Sequence, residues 1–111
     1  MSDISYEKSS GNVFTDLGFT AAETAELTVK SSLIATISDT IRDRKLTQLA
    51  AAQLCGTDQP TLSKVLRGRM ESVTIDRLAG WLTALGRTVE IHVRPYDRNV
   101  EPKAGQFVVA P

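Results

Sequence analysis

The chain has 111 residues, enough for one compact domain but not comfortably for two. It is 41% apolar yet only 5% aromatic, so its core must be built from Leu, Ile, Val and Ala, a palette that suits packed helices. Net charge is zero, no apolar run approaches the roughly 18 residues of a membrane span, and the single cysteine, Cys55, excludes an internal disulfide or a cysteine zinc cluster.

The first residues are polar and read as no secretory signal, so a soluble, cytoplasmic protein without membrane contact is expected. The zero net charge hides an asymmetry. Residues 1–41 hold two Lys/Arg against six Asp/Glu, a net −4, whereas residues 42–94 hold nine against five, a net +4. Attraction to phosphate is set by the local face, so an acidic leader on a basic middle keeps nucleic acid in view as a partner.

In chain order, residues 1–12 are small and polar, and Val13 to Phe19 then groups apolar side chains suited to docking on the domain or on a partner. Thr20 and Glu23 form the T-x-x-E pattern of a capping box. The spacing of Leu27, Ile34, Ile37 and Ile41 predicts a helix from Ala21 to Arg44, with room for a bend at Ser31–Ser32. Arg42, Arg44 and Lys45 stand at its C-terminal end, where cations favour the dipole.

Thr47 is the next cap, for a helix through Leu54 that Gly56 ends. Asp58 caps a third helix, with Pro60 in its first turn, where a missing amide costs nothing, and Gly68 as its stop. Thr74 caps a fourth helix, Ile75 to Leu85, with Ile75, Leu78, Leu82 and Leu85 on one face and Gly86 at its end. From Thr88 to Arg94 the period changes to two: Val89, Ile91 and Val93 alternate with Glu90, His92 and Arg94, which predicts a half-buried strand. The tail turns apolar again only at Phe107 to Val109.

The second and third helices carry the functional signal. A helix that enters the major groove by its N-terminal end needs a polar outer face there and an apolar back. Gln59, Thr61, Ser63 and Lys64 supply the first, and Leu62, Val65 and Leu66 the second. Ala50, Ala51 and Ala52 are small enough for the two helices to cross closely. Gln48, in the first turn of the second helix, is placed to meet a phosphate with side chain and backbone amide. Gln59 and Lys64 are the candidates for base edges, since Gln pairs with adenine and Lys with guanine. Thr61 suits a thymine methyl or a phosphate, and Arg67 and Arg69 suit the flanking backbone. Thr57, Asp58, Pro60 and Ser63 complete the candidate DNA-binding set. Pro60 offers apolar contact alone.

These residues (Leu46-Thr47-Gln48, Ala51, Leu54-Cys55-Gly56, Gln59 to Ser63, Leu66 to Arg69 and Thr74 to Leu78) resemble the helix-turn-helix of the Xre family, the lambda-repressor-like fold. Within that family the leader Gly11 to Phe19, the long first helix and the closing Leu85 to Val93 are similar to HigA-type antitoxins of toxin–antitoxin systems. The resemblance implies a mainly α bundle of four to five helices with one C-terminal β-strand. Its parts would be an acidic leader at 1–19, a DNA-binding domain with closing strand at 20–94 and a tail at 95–111. It implies a transcriptional repressor of its own operon whose repression a small toxin protein tunes. A stand-alone Xre-type repressor without a toxin, or an interaction module that has lost DNA, are the other readings.

Nothing points to catalysis, a metal or a cofactor. His92 is the only histidine, on a strand with charged neighbours, and Cys55 falls at a core position far from it in sequence. One small reader makes few phosphate contacts, so a homodimer on a palindromic operator is expected, with recognition helices about 34 Å apart. Val89, Ile91 and Val93 are the candidate dimer interface, by strand pairing between two copies. The rival partner for that strand is Gln106 to Ala110 of the same chain.

Overall fold

A computed structural model describes residues 17–95 and 107–110. Most of the Gly11 to Phe19 leader, and Gln106, lie outside the described residues. Four helices are present among them: α1 (Ala21–Asp43), α2 (Gln48–Cys55), α3 (Gln59–Leu66) and α4 (Ile75–Ala84).

Each helix begins where the sequence places a cap. The Thr20 hydroxyl accepts the Glu23 amide at 3.1 Å and the Glu23 carboxylate accepts the Thr20 amide at 2.9 Å, closing a capping box on α1. Thr47, Asp58 and Thr74 accept the amides of Ala50, Thr61 and Arg77 in the same way. Each satisfies one of the orphan donors of a first helical turn.

The stops differ from one another. Helix α2 ends on Gly56 at φ 72°, with the Thr57 amide bonded back to the Ala52 carbonyl at 3.0 Å. This left-handed turn aims the chain from α2 into α3, and glycine adopts it without a Cβ penalty. Helix α1 ends the same way without glycine: Lys45 has φ 57°, while the Leu46 amide reaches the Ile41 carbonyl at 3.0 Å.

Helix α1 is continuous through Ser31–Ser32 and is the platform of the fold. It packs most extensively on α4 and also meets α3, while α2 packs against α3 and α4. The core joins Val29, Leu33, Ile34, Ile37 and Ile41 of α1 to Ala51, Ala52, Leu62, Val65, Leu78, Trp81 and Leu82, with Val73 and Leu85 closing it. Arg44 ties the far ends of α1 and α4, donating to the Leu85 carbonyl at 2.8 Å. Arg87 donates to the Thr40 hydroxyl at 2.9 Å on the same side.

The strand expected at 88–94 is not formed: no strand occurs among the described residues. A strand needs a neighbour to complete its hydrogen bonds, and alternation alone supplies none. Nor do Val89, Ile91 and Val93 share one environment. Val89 rests against the core, while Ile91 and Val93 are 77% and 92% exposed. Residues 107–110, the described part of the rival partner, carry no strand either.

No helix among the described residues is long and apolar enough to cross a membrane.

Candidate nucleic-acid interface

The turn at Gly56 sets α3 across α2, and the burial of α3 divides it cleanly. Leu62 and Val65 are buried in the core, and Leu66 is half-buried against it. Gln59, Pro60, Lys64 and Arg67 are exposed, while Thr61 and Ser63 are intermediate. Helical spacing puts Gln59, Ser63 and Arg67 on one outward row and Pro60 and Lys64 on the next. Ala51 and Ala52 are fully buried under this helix pair, so their small side chains are what allows the close crossing.

The first turn of α3 is held by Asp58, whose carboxylate accepts the Thr61 amide at 2.7 Å. Pro60 stands in that turn, where it removes no helical hydrogen bond. Bonds from Thr61 hold the Asp58 carboxyl below its ordinary value, and the charges of Lys64 and Arg77 push the same way. All three influences favour the ionised carboxylate that accepts the helix amide.

At the other end of α3, the Arg67 guanidinium donates to the Ser63 hydroxyl at 2.9 Å, which lays the arginine along the outward row. The chain then turns at Gly68, φ 100°, and the Arg69 amide returns to the Lys64 carbonyl at 3.1 Å. Arg69 is thus presented from a loop stitched to the recognition helix, and its side chain is exposed. Gln48 is the first residue of α2, exposed, directly after the Thr47 cap.

Lys64, Arg67 and Arg69 form no ion pair with another described residue, unlike Arg42 with Asp39 at 2.7 Å or Lys30 with Glu26 at 2.9 Å. Three cations on and just beyond one helix make this face locally basic.

Two residues outside the candidate DNA-binding set also bear on this region: the sequence weighs Arg77 as DNA-side or a plain surface arginine, and does not single out Lys30. Arg77 of α4 stacks over the Trp81 ring at 5.5 Å, and its charge adds slightly to the lowering of the Asp58 carboxyl. The i,i+4 spacing of Arg77 and Trp81 is the signal that was available. Lys30 is the other. It lies on the buried face of α1, one turn before Leu33 and Ile34, where its charge argued for solvent.

The residues weighed for chemistry are not brought together. Cys55 is half-buried beneath α4, 3.8 Å from the Trp81 carbonyl, and burial pushes its thiol up, away from the reactive thiolate. His92 is exposed and touches Glu90 at 3.0 Å.

A family model described as a helix-turn-helix domain matches residues 13–94. The fold is also similar to a solved structure assigned to the XRE family of transcriptional regulators, at 29% identity and a TM-score of 0.73. That match covers 80% of this chain and 98% of the other. No curated protein matches the chain. The chain belongs to the helix-turn-helix domain family, with the architecture of an XRE-type DNA-binding regulator and not of an enzyme.

Proposed function

We propose that this protein is a sequence-specific repressor that binds a palindromic operator in double-stranded DNA as a homodimer, and that it is the antitoxin of a toxin–antitoxin pair controlling its own operon. The observation that carries the DNA reading is the outward face of α3. It offers an exposed amide and an exposed lysine over an apolar back in which Leu62 and Val65 are buried, flanked by arginines without ion pairs among the described residues. Gln59 and Lys64 read base edges, and Thr61 and Pro60 supply apolar or phosphate contact. Gln48, Thr57, Ser63, Arg67 and Arg69 hold the backbone, and Asp58 fixes the helix end.

The homodimer reading rests on residues 88–94. Ile91 and Val93 are large, exposed and two residues apart, so they would share one face of a strand once a second copy supplied the ladder. Val89, already on the core, anchors the segment.

The antitoxin reading rests on the likeness of the leader to HigA-type antitoxins and on its charge. Phe19 is exposed beside Glu23, Glu26 and Glu71, and Leu17 is exposed two residues before it, an apolar and acidic edge suited to a small basic protein. Co-expression of the tagged full chain with the product of an adjoining short reading frame tests it. Retention of that product by the full chain and its loss on deleting residues 1–20 support the antitoxin role. No retention by either form leaves a stand-alone Xre-type repressor.

A further inference from the structure

Lys30 is a charged residue in an apolar place. It lies midway along α1 with 5% of its surface exposed. Buried lysines are rare unless paired, and this one has two partners. Its Nζ donates to the Met70 carbonyl at 3.1 Å and pairs with the Glu26 carboxylate, itself more than half exposed, at 2.9 Å. The neighbouring Ser31 hydroxyl reaches the Met70 sulfur at 3.3 Å.

Met70 belongs to the loop that leaves the recognition helix. Within that loop the Gly68 amide bonds to the Val65 carbonyl at 2.9 Å, the Arg69 amide to Lys64 at 3.1 Å and the Met70 amide to Gly68 at 2.9 Å. One side of Arg69 is therefore stitched to α3. The other side is tied through Met70 to α1: Lys30 holds its backbone carbonyl and Ser31 its side chain.

We propose that Lys30 is a positioning residue for DNA binding: it fixes the loop 67–73 against α1 so that Arg69 is presented to the phosphate backbone. This rests on the DNA-binding reading above. Lys30 itself is enclosed and does not touch DNA. It acts by removing the freedom of a loop that would otherwise be ordered only on binding, at a cost in affinity.

The test uses the full chain and a duplex recovered by selection from a randomised 40-base-pair library. Lys30→Met keeps the apolar stem and removes the donor. Binding is measured across a salt series, well below the melting temperature of each variant. Lys30→Met is expected to weaken binding about tenfold and to reduce the slope of log K against log salt by about 0.9, the signature of one lost phosphate contact. Arg69→Ala is expected to do the same. The double variant should be no weaker than Arg69→Ala alone, within about twofold, because both remove one interaction. Lys30→Arg, which keeps the donors, should restore both affinity and slope.

A residue that merely supported the fold would leave the salt slope unchanged, and its effect would add to that of Arg69→Ala. Either result overturns the proposal. If Lys30→Met does not fold, Met70→Ala loosens the same loop from its side-chain end and must show the same non-additivity. If the wild-type chain binds DNA but Arg69→Ala binds equally well, the regulator reading stands and the role of Lys30 falls. If the wild-type chain shows no salt-dependent binding, both fall.

Discussion

The Asp58 carboxylate accepts the Thr61 amide at 2.7 Å, and this one bond defines where the recognition helix begins. Its consequence is a pH dependence with a definite sign. A carboxyl whose folded-state pKa is lowered contributes stability above its ordinary value and loses it as pH falls through the lowered one. Thr61, the principal cause at Asp58, has counterparts in Thr20 at Glu23 and Thr74 at Asp76, so three caps lose strength in the same acid range. The melting temperature is expected to be flat from neutrality to about pH 5 and to fall below about pH 4. Asn also caps helices but carries no charge, so Asp58→Asn should be slightly less stable than the wild type at pH 7 and fall less steeply in acid. Thermal melts at a series of pH values check this.

Lys64 and Arg67 lie three residues apart on the exposed face of α3, yet they are expected to do different work. Lys64→Ala should cost about 1–3 kcal/mol at one base pair and relax the choice there. Arg67→Ala should weaken binding to all sequences alike and lower the salt slope by about one contact. Parallel selections from a randomised duplex library, one per variant, read the difference as an altered or an unaltered motif. The same altered motif in both variants would refute the division.

Lys45 closes α1 at φ 57°, a conformation that costs an L side chain free energy and costs glycine almost none. Lys45→Gly leaves the bonds to the Arg42 and Ile41 carbonyls in place. It is expected to stabilise the fold by about 0.5–1 kcal/mol, net of glycine's extra freedom when unfolded. Urea denaturation at pH 7 should show a higher midpoint at an unchanged slope.

Why so much of this fold was legible in the sequence is clear from the caps. Thr20, Thr47, Asp58 and Thr74 are short polar residues just ahead of periodic apolar runs, and each is the observed N-cap. Cap chemistry is local, so the sequence carries it. The strand at 88–94 is the opposite case, because its formation depends on a partner that alternation cannot name. The loop after α3 was equally hidden. Its anchor is Lys30, 40 residues away, and charge alone argues for a surface lysine. Trp81 stands next to Leu82, and a stripe through Leu78, Leu82 and Leu85 accounts for α4 without it, so its burial does not follow from the period alone.

The proposed homodimer puts Ile91 on its shared face. If a second copy covers the segment, Ile91→Lys places a charge on the shared face and should convert the dimer to a monomer, with a large loss of operator affinity. Sedimentation equilibrium of both forms measures it. An unchanged dimer would move the interface elsewhere.

The central claim is that the exposed face of α3 reads DNA. Selection of duplexes from a randomised library by the full chain, followed by binding of the winner across a salt series, tests it most directly. The expected outcome is one enriched motif with two inverted half-sites about one helical turn apart, and affinity that falls steeply and linearly with log salt. No enriched motif, or a binding constant indifferent to salt, would contradict it.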